Sequence, residues 1–130
     1  MSENLWGDIP KAEGLRTPLF LLREQADVLT RQTEGVLIGA VKTMHGSGGG
    51  NLLHSLQIVA PALDQYSYTV LTVSHGVTIY PADVTDITRA RGSIVEDEAA
   101  LRDAIKEILS GPNLHKIIGL LLAQSRDSTA

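Results

Sequence analysis

The chain contains no cysteine, which removes disulfides and thiolate chemistry at a stroke. Aromatic residues make up only 4% of its 130 positions. A core must therefore be assembled from Leu, Ile, Val and Ala, with Trp6, Phe20, Tyr66, Tyr68 and Tyr80 as the few large pieces. Positive charge is also scarce: 11 Lys and Arg against 15 Asp and Glu give a net charge of -4. Non-specific nucleic-acid binding needs a stripe of cations to displace counterions, and Arg89 with Arg91 is the only local cluster, so no nucleic-acid partner is expected. No long hydrophobic run exists either. The longest, Ile117 to Ala123, is interrupted by Gly119 and too short to cross a bilayer, so no membrane partner is expected. The first residues, MSENLWGDIPKAEG, lack the basic-then-apolar order of a signal peptide, and a cytoplasmic location is the expectation.

Hydrophobic residues at 43% and charged residues at 20% are globular values, which argues against wholesale disorder. The length suits one domain. Residues 1–16, with Gly7, Pro10, Gly14 and no periodicity, read as an irregular N-terminal arm. Trp6, with Leu5 and Ile9, is expected to dock on its own domain or on a neighbouring subunit, since an exposed indole leaves a large apolar surface wet; the alternative is a partner-binding motif. Residues 17–125 form the expected α+β domain, and residues 126–130 a frayed tail.

Within that domain Thr17 can cap a helix with Pro18 at its first position, and Leu19, Leu22, Ala26 and Leu29 form an apolar stripe ending near Gly35. Val36–Met44 and Leu52–Ala60 read as strands around the glycine-rich loop His45–Asn51, and Gly39 marks a close approach. Pro61 ends the second strand because it cannot donate to a ladder. Tyr66–Ser74 reads as a third strand, His75 and Gly76 as a two-residue hairpin turn, and Val77–Ala82 as the fourth strand, with Asp83–Ser93 as a polar connector. In that register Ser74 would face Val77 and Thr72 would face Ile79. Glu96, Asp97 and Glu98 favour a helix N-terminus, Leu101, Ala104, Ile105, Ile108 and Leu109 are its buried side, and Gly111 and Pro112 end it. Asn113 can cap a last helix carrying Leu114, Ile117, Ile118 and Leu121. The expected fold is α+β: an N-terminal helix, a four-stranded antiparallel meander, and two C-terminal helices packed on one sheet face. The other face would then be left open, as a homodimer surface or the wall of a pocket.

Chemistry is sparse. GSGGGN is followed by strand-like residues and lacks the lysine and hydroxyl of a phosphate loop, so an exposed hairpin loop is the better account. HGSGGG has no G-x-S-x-G partner to make it an oxyanion loop. His45, His54, His75 and His115 have no second ligand at metal-binding spacing. No catalytic residue, metal or cofactor is expected. The binding candidates are His54, His75, Tyr66, Tyr68, Tyr80, Arg89 and Arg91, as a polar-aromatic patch for a small anionic or planar ligand. The alternative is that the tyrosines fill the sheet and the arginines are solvated.

The succession TPLFLLREQADVL, VAPALDQYSYTVLTVSHG with VTIYPADV, LRDAIKEILSGP and IIGLLLAQS resembles that of small bacterial proteins without an assigned activity, from Thr17 to Ser125. The resemblance implies a bacterial accessory role and carries over no site residue. The functional expectation is a non-enzymatic interaction or adaptor module that pairs with itself or with another protein. The alternative is a small-molecule-binding protein or minor enzyme with a pocket between the sheet and the 45–51 loop.

Overall fold

In the computed structural model, which describes residues 2–12, 14–46 and 50–129, the chain is α+β with three helices and a five-stranded antiparallel sheet. Helix α1 (Pro18–Gln32) begins where the Thr17 hydroxyl accepts the Phe20 N–H at 3.2 Å, with Pro18 in its first turn. Strands β1 (Ile38–His45), β2 (Leu52–Ala60), β3 (Tyr66–His75), β4 (Ala82–Asp86) and β5 (Arg91–Val95) follow as a meander in chain order. A 3₁₀ turn at Pro61–Leu63 joins β2 to β3. Helices α2 (Glu98–Leu109) and α3 (Pro112–Thr129) complete the chain, α2 starting at Asp97, whose carboxylate accepts the Ala100 N–H at 2.8 Å.

The expected strand count and register need correction here. Five strands replace four, because residues 77–81 are not a strand and the supposed connector supplies β4 and β5. Ser74 therefore pairs with Asp83 and Thr72 with Thr85, not with Val77 and Ile79. His75–Gly76 is not a two-residue turn. The Ile79 N–H bonds the Gly76 carbonyl at 3.0 Å, the Tyr80 N–H bonds the Thr78 carbonyl at 2.9 Å, and Ile79 sits at φ 75°. That is a β-turn running into a tight γ-turn, which uses up the residues expected to pair. The expected frayed tail is helical as far as Thr129, and the Ser128 hydroxyl donates to the Ala62 carbonyl.

Helix α1 is locked onto β1 by threonines. Thr30 accepts the Gly39 N–H at 2.9 Å, and Thr33 accepts the Leu37 N–H at 3.2 Å. A Cβ on Gly39 would fall inside the Ala26 backbone, so glycine alone permits this approach. The bulge between β2 and β3 moves the register from Leu56↔Leu71 to Gln57↔Thr69, leaving Val70 without a partner. Both Val70 and Leu71 are then buried, which enlarges the core without lengthening the strand.

The core lies between the sheet and the helices: Leu56, Ile58, Leu71, Val73 and Val84 from the strands meet Leu22, Ala26, Leu101, Ile105 and Leu114. Pairing fixes which residues share a face. Thr43, His54, Val73, Val84 and Ser93 lie across one row of the helix-covered face, and Lys42, Ser55, Thr72, Thr85 and Gly92 across a row of the other.

Candidate functional site

The helix-covered face holds a buried histidine pair. His54 and His75 are diagonal neighbours on β2 and β3, 2% and 8% exposed, with their Nε2 atoms 2.9 Å apart. The remaining ring nitrogens decide the protons. His75 Nδ1 lies 2.7 Å from the Gly76 carbonyl, which can only accept, so Nδ1 carries the hydrogen. In a neutral ring His75 Nε2 is then an acceptor and His54 Nε2 donates to it. His54 Nδ1 must therefore accept, and the Thr43 hydroxyl at 2.8 Å donates. Every nitrogen is satisfied along one directed chain from Thr43 to Gly76. One added proton is tolerated at His54 Nδ1 if the Thr43 hydroxyl turns to accept it. A second would set two N–H groups against each other.

Burial lowers the pKa of His54, and the neighbouring His75 and Arg23 lower it further, so the neutral form of His54 is favoured. This arrangement can hold or pass a proton. It lines none of the cavities described below, and with the Thr43 hydroxyl at one end it reads as a polar link between β1, β2 and β3.

The other predicted site residues do not join it. Tyr80 follows the γ-turn and packs on the core, its hydroxyl buried without a hydrogen-bond partner. Burial raises its pKa, helped by Glu98 and Asp97. Tyr66 is half exposed at the far end of β3, opposite Ala60. Tyr68 lies near that end, its pKa raised by burial and then by Asp86. Arg89 is held by Asp86, with Nε 2.6 Å from the carboxylate, and lies 3.7 Å from Glu107. Arg91 pairs with Asp86 across β4 and β5. The expected patch therefore splits in two: histidines at one end of the sheet, Tyr66, Tyr68 and the arginines at the other.

Asp86 is a residue that the sequence reading missed. Burial raises its pKa, but hydrogen bonds from Thr88 and Arg89 outweigh that and hold it below the ordinary carboxylate value. The D-x-T-R spacing of Asp86, Thr88 and Arg89 was the available signal, since an Asp at such a turn bonds the backbone two residues on. The Thr88 N–H does donate to Asp86 at 2.9 Å.

Cavities open on the helix side among the described residues. One of about 460 Å³ runs between α1 and α2, lined by Leu21, Glu24, Ile105 and Lys106. A second of about 180 Å³ has Leu56, Ile58 and Val70 as its floor and Leu29 and Ile118 on its walls, and the two share Gln25, Leu109 and His115. A third of about 120 Å³ lies between Arg91 and Ile108. The pocket expected beside the 45–51 loop involves residues 47–49, which lie outside the described residues. Among the described residues no group of three His, Asp or Glu is placed to hold a metal ion, and no helix is long and apolar enough to cross a membrane.

The face opposite the helices carries Ser55, Gln57, Thr69, Thr72 and Thr85 at its centre and apolar residues at its margins. Met44 on β1 is 53% exposed and Ile94 on β5 is 65% exposed. Both stand in the row Met44, Leu53, Ser74, Asp83, Ile94. No protein-family model, curated protein or solved structure matches the chain, so the functional reading rests on this geometry.

Proposed function

We propose that this protein is a small non-enzymatic interaction module that pairs with a second copy of itself through the uncovered face of its sheet. The observation that carries the reading is the placement of two exposed apolar side chains, Met44 and Ile94, at opposite margins of one face. A twofold axis running along the strands between two such faces reverses the strand order across the contact. It lays Met44 over Ile94 of the second copy, and brings Lys42 on β1 diagonal to Asp83 on β4, one strand in and one row along. Both matches occur twice, and no like charges are opposed.

The available area bears on strength. Five strands spaced ~4.8 Å apart, rising ~3.3 Å per residue, give roughly 500 Å² per copy. A pair would bury roughly 1,000 Å², the lower bound for a specific interface and the range of reversible ones. The polar centre suits that regime, since threonine and serine lose little when the pair separates.

Light scattering coupled to size exclusion, run from low to high micromolar concentration, tests the reading. A mass rising from one chain towards two is expected, and Ile94→Lys should shift that rise to higher concentration. A monomer throughout, or a dimer indifferent to Ile94→Lys and Met44→Lys, would remove this surface from consideration.

A further inference from the structure

We infer that the groove between α1 and α3 is the seat of Trp6 from the N-terminal arm of a second copy of the chain. Three separate observations meet there. The first is supply. Trp6 is the only tryptophan and is 83% exposed, with Leu5 and Ile9 beside it also in solvent. The arm is not packed on its own domain, against the first of the two docking expectations, although its reach would allow it. Trp6 lies about 11 residues before Thr17, a span of up to ~36 Å, whereas the groove at Leu29 is only ~18 Å along α1.

The second observation is form. The tip of the arm is pre-shaped: the Asn4 side-chain oxygen accepts the Trp6 N–H at 3.0 Å, and its amide donates to the Gly7 carbonyl at 3.2 Å. Gly7 takes the positive φ of 69° that this turn needs. A fixed aromatic anchor loses less freedom on docking than a flexible one.

The third is fit. The groove opens onto the central strands, where Leu56, Ile58 and Val70 form an apolar floor between Leu29 and Ile118, and its volume is about 180 Å³. A cavity of ~150 Å³ accepts one benzene ring, so this one has room for an aromatic ring, and its lining also carries Gln25, Gln32, Gln57 and His115. It continues into the larger cavity along α1 through Gln25, Leu109 and His115, which leaves a path for Ile9 and the rest of the arm. Exchange of a segment between copies needs no surface beyond those the chain already has. The inference rests on self-association, but not on the sheet face as the contact.

Complementation tests it, with the single tryptophan as reporter. The full chain carrying Trp6→Ala keeps the groove and is dark in tryptophan fluorescence. The full chain carrying Ile118→Arg keeps the arm and blocks the groove. Alone, the blocked chain should show an indole open to acrylamide quenching. Adding the dark chain should lower the quenching constant several-fold, in proportion to its concentration. No protection on mixing would overturn the inference, as would protection of wild-type Trp6 that is independent of concentration, which means docking within one chain. Should Ile118→Arg fail to fold, isotope-filtered NOEs in a half-labelled wild-type sample decide instead. Contacts from the Trp6 indole of one copy to the Leu29 and Ile118 methyls of another are expected, and their absence sinks the idea. Repeating the mixing in an Ile94→Lys background separates the two contacts. Protection that persists there supports the groove as an interface of its own. A sheet-mediated dimer whose Trp6 stays quenchable removes the groove and leaves the sheet reading standing.

Discussion

Neighbouring rows of the same sheet lead opposite lives. Val41, Leu56 and Leu71 lie side by side under the helices, while Lys42, Ser55 and Thr72, one residue along each strand, lie on the side no helix covers. The strands present both sets with equal regularity, because side chains alternate across a pleated sheet whatever covers it. What differs is the layer above. The covered face gathers aliphatic groups and one closed polar chain, and the uncovered face keeps hydroxyls with apolar margins. A face can therefore be amphipathic twice over, buried by its own helices on one side and able to be buried by something else on the other.

The largest expected break in that contrast comes from paired truncations. Leu71→Ala should cost about 3 kcal/mol through lost burial and a residual cavity. Thr72→Ala, measured where the chain is monomeric, should change stability by about 0.5 kcal/mol or less. Urea denaturation of both decides it, and comparable losses would mean the second face is already part of a folded core.

Acid should act next, and only through the covered face. The folded-state pKa of His54 lies below its ordinary value of 6.5, so between the two the unfolded chain binds more protons than the native one. Stability is thus complete above about pH 6.5 and declines as pH falls below it. Asp86, also held low, adds stability that is present above about pH 3.9 and is lost as pH drops through its folded value. Imidazole NMR titration should find His54 still neutral where an ordinary histidine is half protonated; protonation at or above that point contradicts the assigned chain.

On the uncovered face, Ile94→Lys should remove the contact between sheet faces and weaken association, while altering the stability of the monomer by about 0.5 kcal/mol or less. Equilibrium sedimentation and thermal melts, taken together, separate those effects. The smallest change is expected at Tyr80. Its buried hydroxyl has no partner, so Tyr80→Phe should be neutral or stabilising by up to about 1 kcal/mol. A clear loss in calorimetry would reveal a hydrogen bond that the fold conceals.

The legible parts of this chain were those whose cause is local. Thr17 and Pro18 announced α1, Asp97 and its acidic neighbours announced α2, and Pro61 ended β2 where it was expected to. Gly39 signalled a close approach before its neighbour Ala26 was known. The error at β4 has an equally definite origin. Val77 to Tyr80 has strand-like side chains, but the hydrogen bonds of its backbone turn inward at Gly76 and Thr78. Asp83 and Asp86 looked like connector residues, yet Asp83 points away from the helices and Asp86 is satisfied by Thr88 and Arg89. Of the binding candidates, His54 and His75 are hydrogen-bonded to each other; 21 positions apart, they meet through strand pairing that no spacing rule reports.

Composition and periodicity by themselves settled the class of the molecule: a cysteine-free, mainly aliphatic α+β chain whose first two helices begin at identifiable caps and whose strands alternate in character. Tertiary packing alone decided the rest: which hydroxyl row faces solvent, which two imidazoles share a proton, and how wide a gap separates α1 from α3. The reason is one of range. Caps and alternation act over three or four residues and are written into the chain, whereas register, bulges and gaps are set only when distant segments compete for the same space.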